Sequence, residues 1–188
     1  MTSLQDIRRE SPGEFYLAVA TAAAVVAIGV EQGILLAIAL SLFRHVRHSY
    51  RPQTTILVPD AAGRWTATTV TPGQGTEPGL IVYWFGADLF YANHNRFTDE
   101  VRTLVEHAPT PMQWFVVDAD AITNIDYSAA QSLRDLLDDL MHRRVGTVFA
   151  RVRPSLRSDM DRHGITESMG ETRIFATLHE ALLRRAET

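Results

Sequence analysis

The stretch from Trp114 to Leu137, WFVVDADAITNIDYSAAQSLRDLL, most constrains what this chain can fold into. Trp114–Val117 is apolar, rich in aromatic and β-branched residues, and too short for a helix, so it predicts a buried strand. Asp118 and Asp120 end it. Asn124-Ile125-Asp126-Tyr127-Ser128 then leads into a segment whose apolar residues, Ala129, Leu133, Leu136, Leu137 and Leu140, recur by three and four. Asp135, Asp138 and Asp139 take the opposite side, and that spacing predicts an amphipathic helix.

Ser128 stands where this helix should begin, with Gln131 three residues on. The pair predicts a capping box in which the Ser128 hydroxyl accepts from a first-turn amide, worth about 1 kcal/mol. The same position, beside the acidic Asp126 and near a positive dipole end, is also a place for a phosphate or another anion. Asp118, Asp120 and Asp126 form a second candidate group. Loop aspartates are commonly turn formers, and a cation site is the competing reading.

A chain of 188 residues allows one domain of ordinary size and an appendage. The formal net charge of −4 leaves no nucleic-acid footprint. The absence of cysteine excludes disulfides and thiolate chemistry. Apolar residues make up 46% of the chain, an ordinary share, but the first quarter concentrates them. Phe15–Val30 and Ile34–Phe43 carry no charge, and Glu31-Gln32-Gly33 separates them. At 1.5 Å per residue these runs measure about 24 and about 15 Å, short of a hydrocarbon core of about 30 Å. One reading is a single span from Phe15 to about Leu36. The other is a membrane hairpin with Glu31 and Gln32 at its polar tip. Arg8 and Arg9 before the runs, and Arg44, Arg47 and Arg51 after them, favour the hairpin, because both ends then lie on the cytoplasmic side. Arg44, Arg47 and Arg51 are candidate contacts for anionic lipid headgroups. Gly29 and Gly33 make a small-xxx-small pair suited to close packing.

Beyond Pro52, strands are expected at Thr54–Val58, Arg64–Val70, Leu80–Phe85, Trp114–Val117, Val145–Val152 and Ile174-Phe175. Helices are expected at His94–His107, from Ala129 to about Arg143, at Ser155–His163, and after Thr177, where Glu180 completes a second capping box. Asn93 is expected to cap the first of these. Three strands followed by alternating units predict a mixed α/β sheet with helices mainly on one face. No phosphate-binding loop, nucleophile elbow, metal-ligand spacing or acid–base pair is found, so no enzyme, cofactor or metal is expected.

The strand, Asp126-x-Ser128-Ala129 and amphipathic helix resemble the signature of the STAS domain, shared by sulfate transporters and anti-sigma-factor antagonists. In the antagonists the motif is Asp-Ser-Ser-Gly and its second Ser is phosphorylated. Ser128 matches that residue, whereas Tyr127 and Ala129 depart from the antagonist form and look more like the transporter branch. Asp88-Leu89-Phe90-Tyr91-Ala92-Asn93 resembles the Leu-Phe-Phe-Ala-Asn region of bacterial sulfate permeases. Gly29–Leu36 resembles their last short membrane helices. The resemblance implies membrane helices and a basic juxtamembrane segment over 1–51, then a cytoplasmic STAS domain over 52–188. It implies the C-terminal portion of a sulfate or inorganic anion transporter of the SulP family in the inner membrane, with the domain serving regulation and protein interaction. Such a portion lacks about a dozen further helices and is not expected to transport alone. Its partners would be the membrane, the remaining transporter helices or a second copy, and a regulatory protein at the STAS surface. The alternative is a free antagonist-like switch phosphorylated on Ser128.

Overall fold

The computed structural model describes residues 12–50, 52–60 and 64–186. The chain divides into two compact units, Met1–Tyr50 and Arg51–Thr188.

In the first unit, α1 (Pro12–Ile28) and α2 (Val30–Tyr50) are separated by a single residue. Gly29 takes φ +113, a conformation that residues with a Cβ rarely adopt, and the helix breaks there. The break therefore falls earlier than the expected Glu31-Gln32-Gly33 tip. Glu31 and Gln32 are exposed in the first turn of α2 instead. Gly33 explains the choice. It is buried against Val25, and a Cβ there would lie 2.2 Å from Val25 Cγ2. One glycine of the pair bends the chain and the other lets α2 approach α1. No helix among the described residues is long and apolar enough to cross a membrane. The side chains of Arg44 and Arg47, and Arg51 altogether, lie outside what the structure describes.

The second unit holds a five-stranded sheet. Its strands are β1 (Thr54–Pro59), β2 (Trp65–Thr69), β3 (Leu80–Phe85), β4 (Trp114–Asp118) and β5 (Gly146–Ala150), in the order β2-β1-β3-β4-β5. β2, β1 and β3 pair antiparallel, and β3, β4 and β5 pair parallel. The parallel strands are linked by α3 (His94–Glu106) and α4 (Tyr127–His142). After β5 come α5 (Pro154–Arg162), α6 (Ile165–Met169), a 3-10 turn at Glu171–Arg173 and α7 (Leu178–Ala186).

Strand alternation sorts the core onto two faces. Ile81, Tyr83, Phe85, Phe115, Val117 and Phe149 meet Phe97, Val101 and Leu104 of α3 and Leu133, Leu136 and Leu140 of α4. The rings of Tyr83, Phe85, Phe97 and Phe115 cluster with centroids 5.3 to 6.5 Å apart. Leu80, Val82, Val116, Val148 and Ala150 line the other face, where α7 contributes Ala181, Leu178 and Leu182. Each fully buried side chain of this size adds about 1.5–3 kcal/mol. Most helices thus lie on one face, as the element order predicts.

The expected edge strand Ile174-Phe175 is reduced to one bridge, Phe149 to Ile174. Only four residues separate the 3-10 turn from the start of α7, and the last of them, Thr177, is taken by the helix cap, which leaves too little chain to build a ladder. The Thr177 box forms as expected: Thr177 N donates to Glu180 Oε2 and Glu180 N donates to Thr177 Oγ1, both at 3.2 Å.

Candidate functional site

The motif lies where the chain leaves β4 and enters α4, at the C-terminal end of the parallel strands. Two loops, 86–93 and 119–126, are fastened together there. Leu89 N donates to Asn124 O, and Asp126 N donates to Leu89 O, each at 3.1 Å. Asp88 Oδ1 accepts from Thr123 N at 2.6 Å, Thr123 Oγ1 at 2.8 Å and Asn124 N at 3.0 Å. Buried Asp159 of α5 accepts from Ile125 N at 3.1 Å through Oδ2, while its Oδ1 pairs with Arg162 at 2.9 Å. The sheet end is therefore braced by carboxylates that each satisfy backbone amides in a turn.

Asp126, not Ser128, caps α4. Its backbone is extended (φ −81, ψ 171), and Oδ1 accepts from Ala129 N at 2.8 Å. The helix begins at Tyr127, so Ser128 already lies in its first turn, exposed, and its hydroxyl makes no hydrogen bond to a described residue. Aspartate caps as well as serine and adds a charge that suits the helix N-terminus. A tertiary partner decides between them: Asp126 Oδ2 also accepts from Tyr91 N at 2.8 Å. The Ser128–Gln131 box is thus replaced by one aspartate serving two loops.

Asn93 is likewise diverted from capping. It precedes α3 but makes no side-chain cap bond. It is buried, its Oδ1 accepts from Phe90 N at 3.1 Å, and its Nδ2 donates to Asp88 O at 2.9 Å. The Asp88-to-Asn93 stretch is thereby held as a rigid turn. Two tyrosines project from the corner: Tyr91 is 65% and Tyr127 69% exposed. The Tyr127 ring meets His163 edge-on at 6.4 Å.

Asp118 and Asp120 do not converge with Asp126. Asp118 is fully buried and bound by Arg151 through both carboxylate oxygens, with Nε to Oδ1 at 2.6 Å. Asp120 pairs with Arg153 at 3.0 Å and lies 3.9 Å from Arg151. The hydrogen bond to Asp118 holds the Arg151 guanidinium above its ordinary pKa, against an opposing contribution from burial. Among the described residues no group of His, Cys, Asp and Glu could hold a metal ion. Sequence reasoning missed Arg151 and Arg153. Their signal was present: Asp-x-Asp, beginning on the last residue of β4, and Arg-x-Arg, directly after β5, have the same spacing, and β4 and β5 are neighbours in the sheet.

The STAS domain profile matches residues 74–181, which include the sheet from β3 onward, both loops and α4. A protein described as a probable sulfate transporter in Mycobacterium tuberculosis is 33% identical over 184 residues, 97% of this chain and 33% of that protein. Sulfate transporter 1.3 of Arabidopsis thaliana is 26% identical over 84% of this chain and 26% of its own length. The chain thus spans about a third of the length of the curated relatives it matches. Among solved structures, the murine Slc26a9 anion transporter in its inward-facing state superposes with a TM-score of 0.81 at 15% identity, over 100% of this chain and 31% of that one. A sulfate transporter family protein from Wolinella succinogenes superposes with a TM-score of 0.51 at 17% identity, over 69% of this chain and 98% of that one. Sheet order, the braced motif corner and the profile match agree: the chain belongs to the STAS domain family, in the form carried by SulP sulfate transporter homologues.

Proposed function

We propose that this chain is the C-terminal portion of a sulfate or inorganic anion transporter, in which a cytoplasmic STAS domain (52–188) serves regulation and protein interaction and residues 1–51 seat it in the inner membrane. One observation carries the reading. The match to the mycobacterial relative runs over 97% of the chain, through both units in one order, and corresponds to a third of that transporter. The surface of the first unit supports it, since the large apolar side chains of Val26, Ile38, Leu42 and Phe43 are exposed there. In this reading α1 and α2 form a hairpin that packs among further transporter helices or against a second copy, because half-depth segments are tolerated only inside protein. Glu31 and Gln32 then mark its polar end, and Arg44, Arg47 and Arg51 meet anionic headgroups at about 1 kcal/mol each. The domain is non-catalytic and binds no nucleic acid. Asp126 fixes the motif corner, which presents Tyr91, Tyr127 and Ser128 to a regulatory partner. A free phospho-switch is not favoured, because the relatives named are described as transporters.

Membrane fractionation tests the seat: the chain should sediment with membranes and need detergent for extraction, and a dispersed soluble monomer would sink the proposal. Reconstituted alone in liposomes, it should move no sulfate above background. Saturable, protein-dependent uptake would overturn this part of the proposal.

A further inference from the structure

Between α5, α6 and the 3-10 turn lies an open cleft of about 420 Å³, lined by Asp161, Thr166, Glu167, Gly170 and Glu171. None of these residues takes part in the motif corner. Thr166 is the buried member of the set, only 7% exposed, and its Oγ1 makes no hydrogen bond. A hydroxyl withdrawn from water without a partner opposes folding unless something bound there satisfies it.

The rest of the lining is acidic. Asp161 and Glu171 share one cation, Arg157, at 3.0 and 3.5 Å. Glu167 is exposed and pairs with none of the described residues. Three carboxylates against one guanidinium leave the cleft two formal negative charges. Asp161 also stands in the last turn of α5, where the helix dipole adds to the negative potential. The Thr166 hydroxyl, and after it Arg157, hold the Asp161 carboxyl below the usual carboxylate range, although no hydrogen bond closes between Thr166 Oγ1 and Asp161. Gly170 holds φ +86, and a Cβ built on it would meet nothing within 4 Å, so the cleft is open on that side.

The size of the charge and its spread together define a ligand. No group of carboxylates and imidazoles among the described residues could hold a metal ion, so a dication concentrated at one point is not matched. The volume falls in the range of small-molecule sites. An ammonium group carries three donors and no acceptor, so it can satisfy a hydroxyl oxygen and carboxylates together. We propose that this cleft binds an elongated organic dication, an aliphatic diamine, with one ammonium group donating to Thr166 Oγ1 and the pair neutralising Asp161, Glu167 and Glu171. The site lies within the sheet unit and depends on neither transport nor membrane seating.

Titration calorimetry of the full-length chain in mild detergent tests the assignment, with 1,4-diaminobutane as the probe. Diaminobutane should give saturable heat at low salt, and its affinity should fall as salt is added. Butylamine, with one charge, should bind about fivefold more weakly or worse. Glu167→Gln should weaken diaminobutane about fivefold, and its tryptophan-detected unfolding should match the wild type, because Glu167 has no partner within the chain to lose. Thr166→Val should weaken diaminobutane about tenfold or more while unfolding no earlier than the wild type. Absence of saturable heat would overturn the proposal, as would butylamine or magnesium chloride binding as tightly as the diamine. So would Glu167→Gln binding like the wild type. A Thr166→Val chain that unfolds early would show that its hydroxyl is satisfied inside the protein and would remove the premise. Tighter binding of a Lys-Lys dipeptide would assign the cleft to a basic protein segment and overturn the small-molecule reading. Membrane fractionation, in contrast, leaves every one of these outcomes untouched.

Discussion

Replacing Arg151 with alanine isolates the value of the ion pair at the end of β4. The Asp118 side chain has no solvent exposure, and Arg151 is the cation bound to it. Without it, a charged carboxylate is left buried with the Asp120 amide at 3.3 Å. Removing one partner of a buried pair costs about 3–5 kcal/mol. Arg151 is 39% exposed, so water reaches part of the vacated space, and the lower end, about 3 kcal/mol, is expected. The backbone adds a second, opposite signature. Arg151 holds φ 58, a conformation that costs an L-residue about 1–2 kcal/mol. Arg151→Gly should therefore be about 1 kcal/mol more stable than Arg151→Ala, although both lose the ion pair. Adding Asp118→Asn to Arg151→Ala should recover stability, because it removes the unpaired charge. Urea unfolding followed by tryptophan fluorescence suits the full chain, since Trp65, Trp84 and Trp114 all lie in the sheet unit. Arg151→Ala within about 0.5 kcal/mol of the wild type would refute the argument. So would an Arg151→Gly chain less stable than the alanine variant.

The motif corner makes a sharper distinction than the sequence alone allows. Ser128→Ala should change stability by less than about 0.5 kcal/mol, because the hydroxyl has no partner to lose. Asp126→Ala should cost about 2 kcal/mol, combining the α4 cap and the Tyr91 tie, and the same fluorescence melt reads both. A third expectation concerns acid. A hydrogen bond from Arg143, at 3.0 Å, holds the Asp139 carboxyl below the usual range, and Arg102 adds to it from 3.4 Å. A depressed folded-state pKa gives stability that is present above the unfolded value, near 3.9, and is lost as pH falls through the folded one. Asp139→Asn should therefore be less stable than the wild type at neutral pH. The gap should close in strong acid, and a gap constant with pH would exclude the ion pair as its source.

Periodicity alone made the sheet and its layers legible. The strands around Leu80–Phe85 and Trp114–Val117 lie where their β-branched runs predicted, and the spacing from Ala129 to Leu140 identified the buried side of α4. What stayed illegible was every choice between two chemically equivalent residues. Asp126 and Ser128 both cap helices, and the deciding group, the Tyr91 amide, lies 35 residues away in sequence. Gly29 and Gly33 can both break a helix, and contact with Val25 leaves that task to Gly29. The charge of Asp118 looked like turn chemistry until a neighbouring strand brought Arg151 to it. Local propensity lists the candidates in each case, and a partner remote in sequence selects among them.

The double duty of Asp126 sets a substitution rule for the motif. Asparagine offers one acceptor oxygen and so can keep the α4 cap or the Tyr91 tie, but not both. Serine and threonine fare no better, with a single oxygen on a shorter arm. Glutamate has two acceptors, but its extra methylene moves them away from a turn only three residues wide. Tyr127 and Ser128 face outward beside it under no such restriction. The motif is thus rigid in one letter and open in the next two. Proteins sharing this fold can exchange what the corner displays while leaving unchanged the residue that positions it.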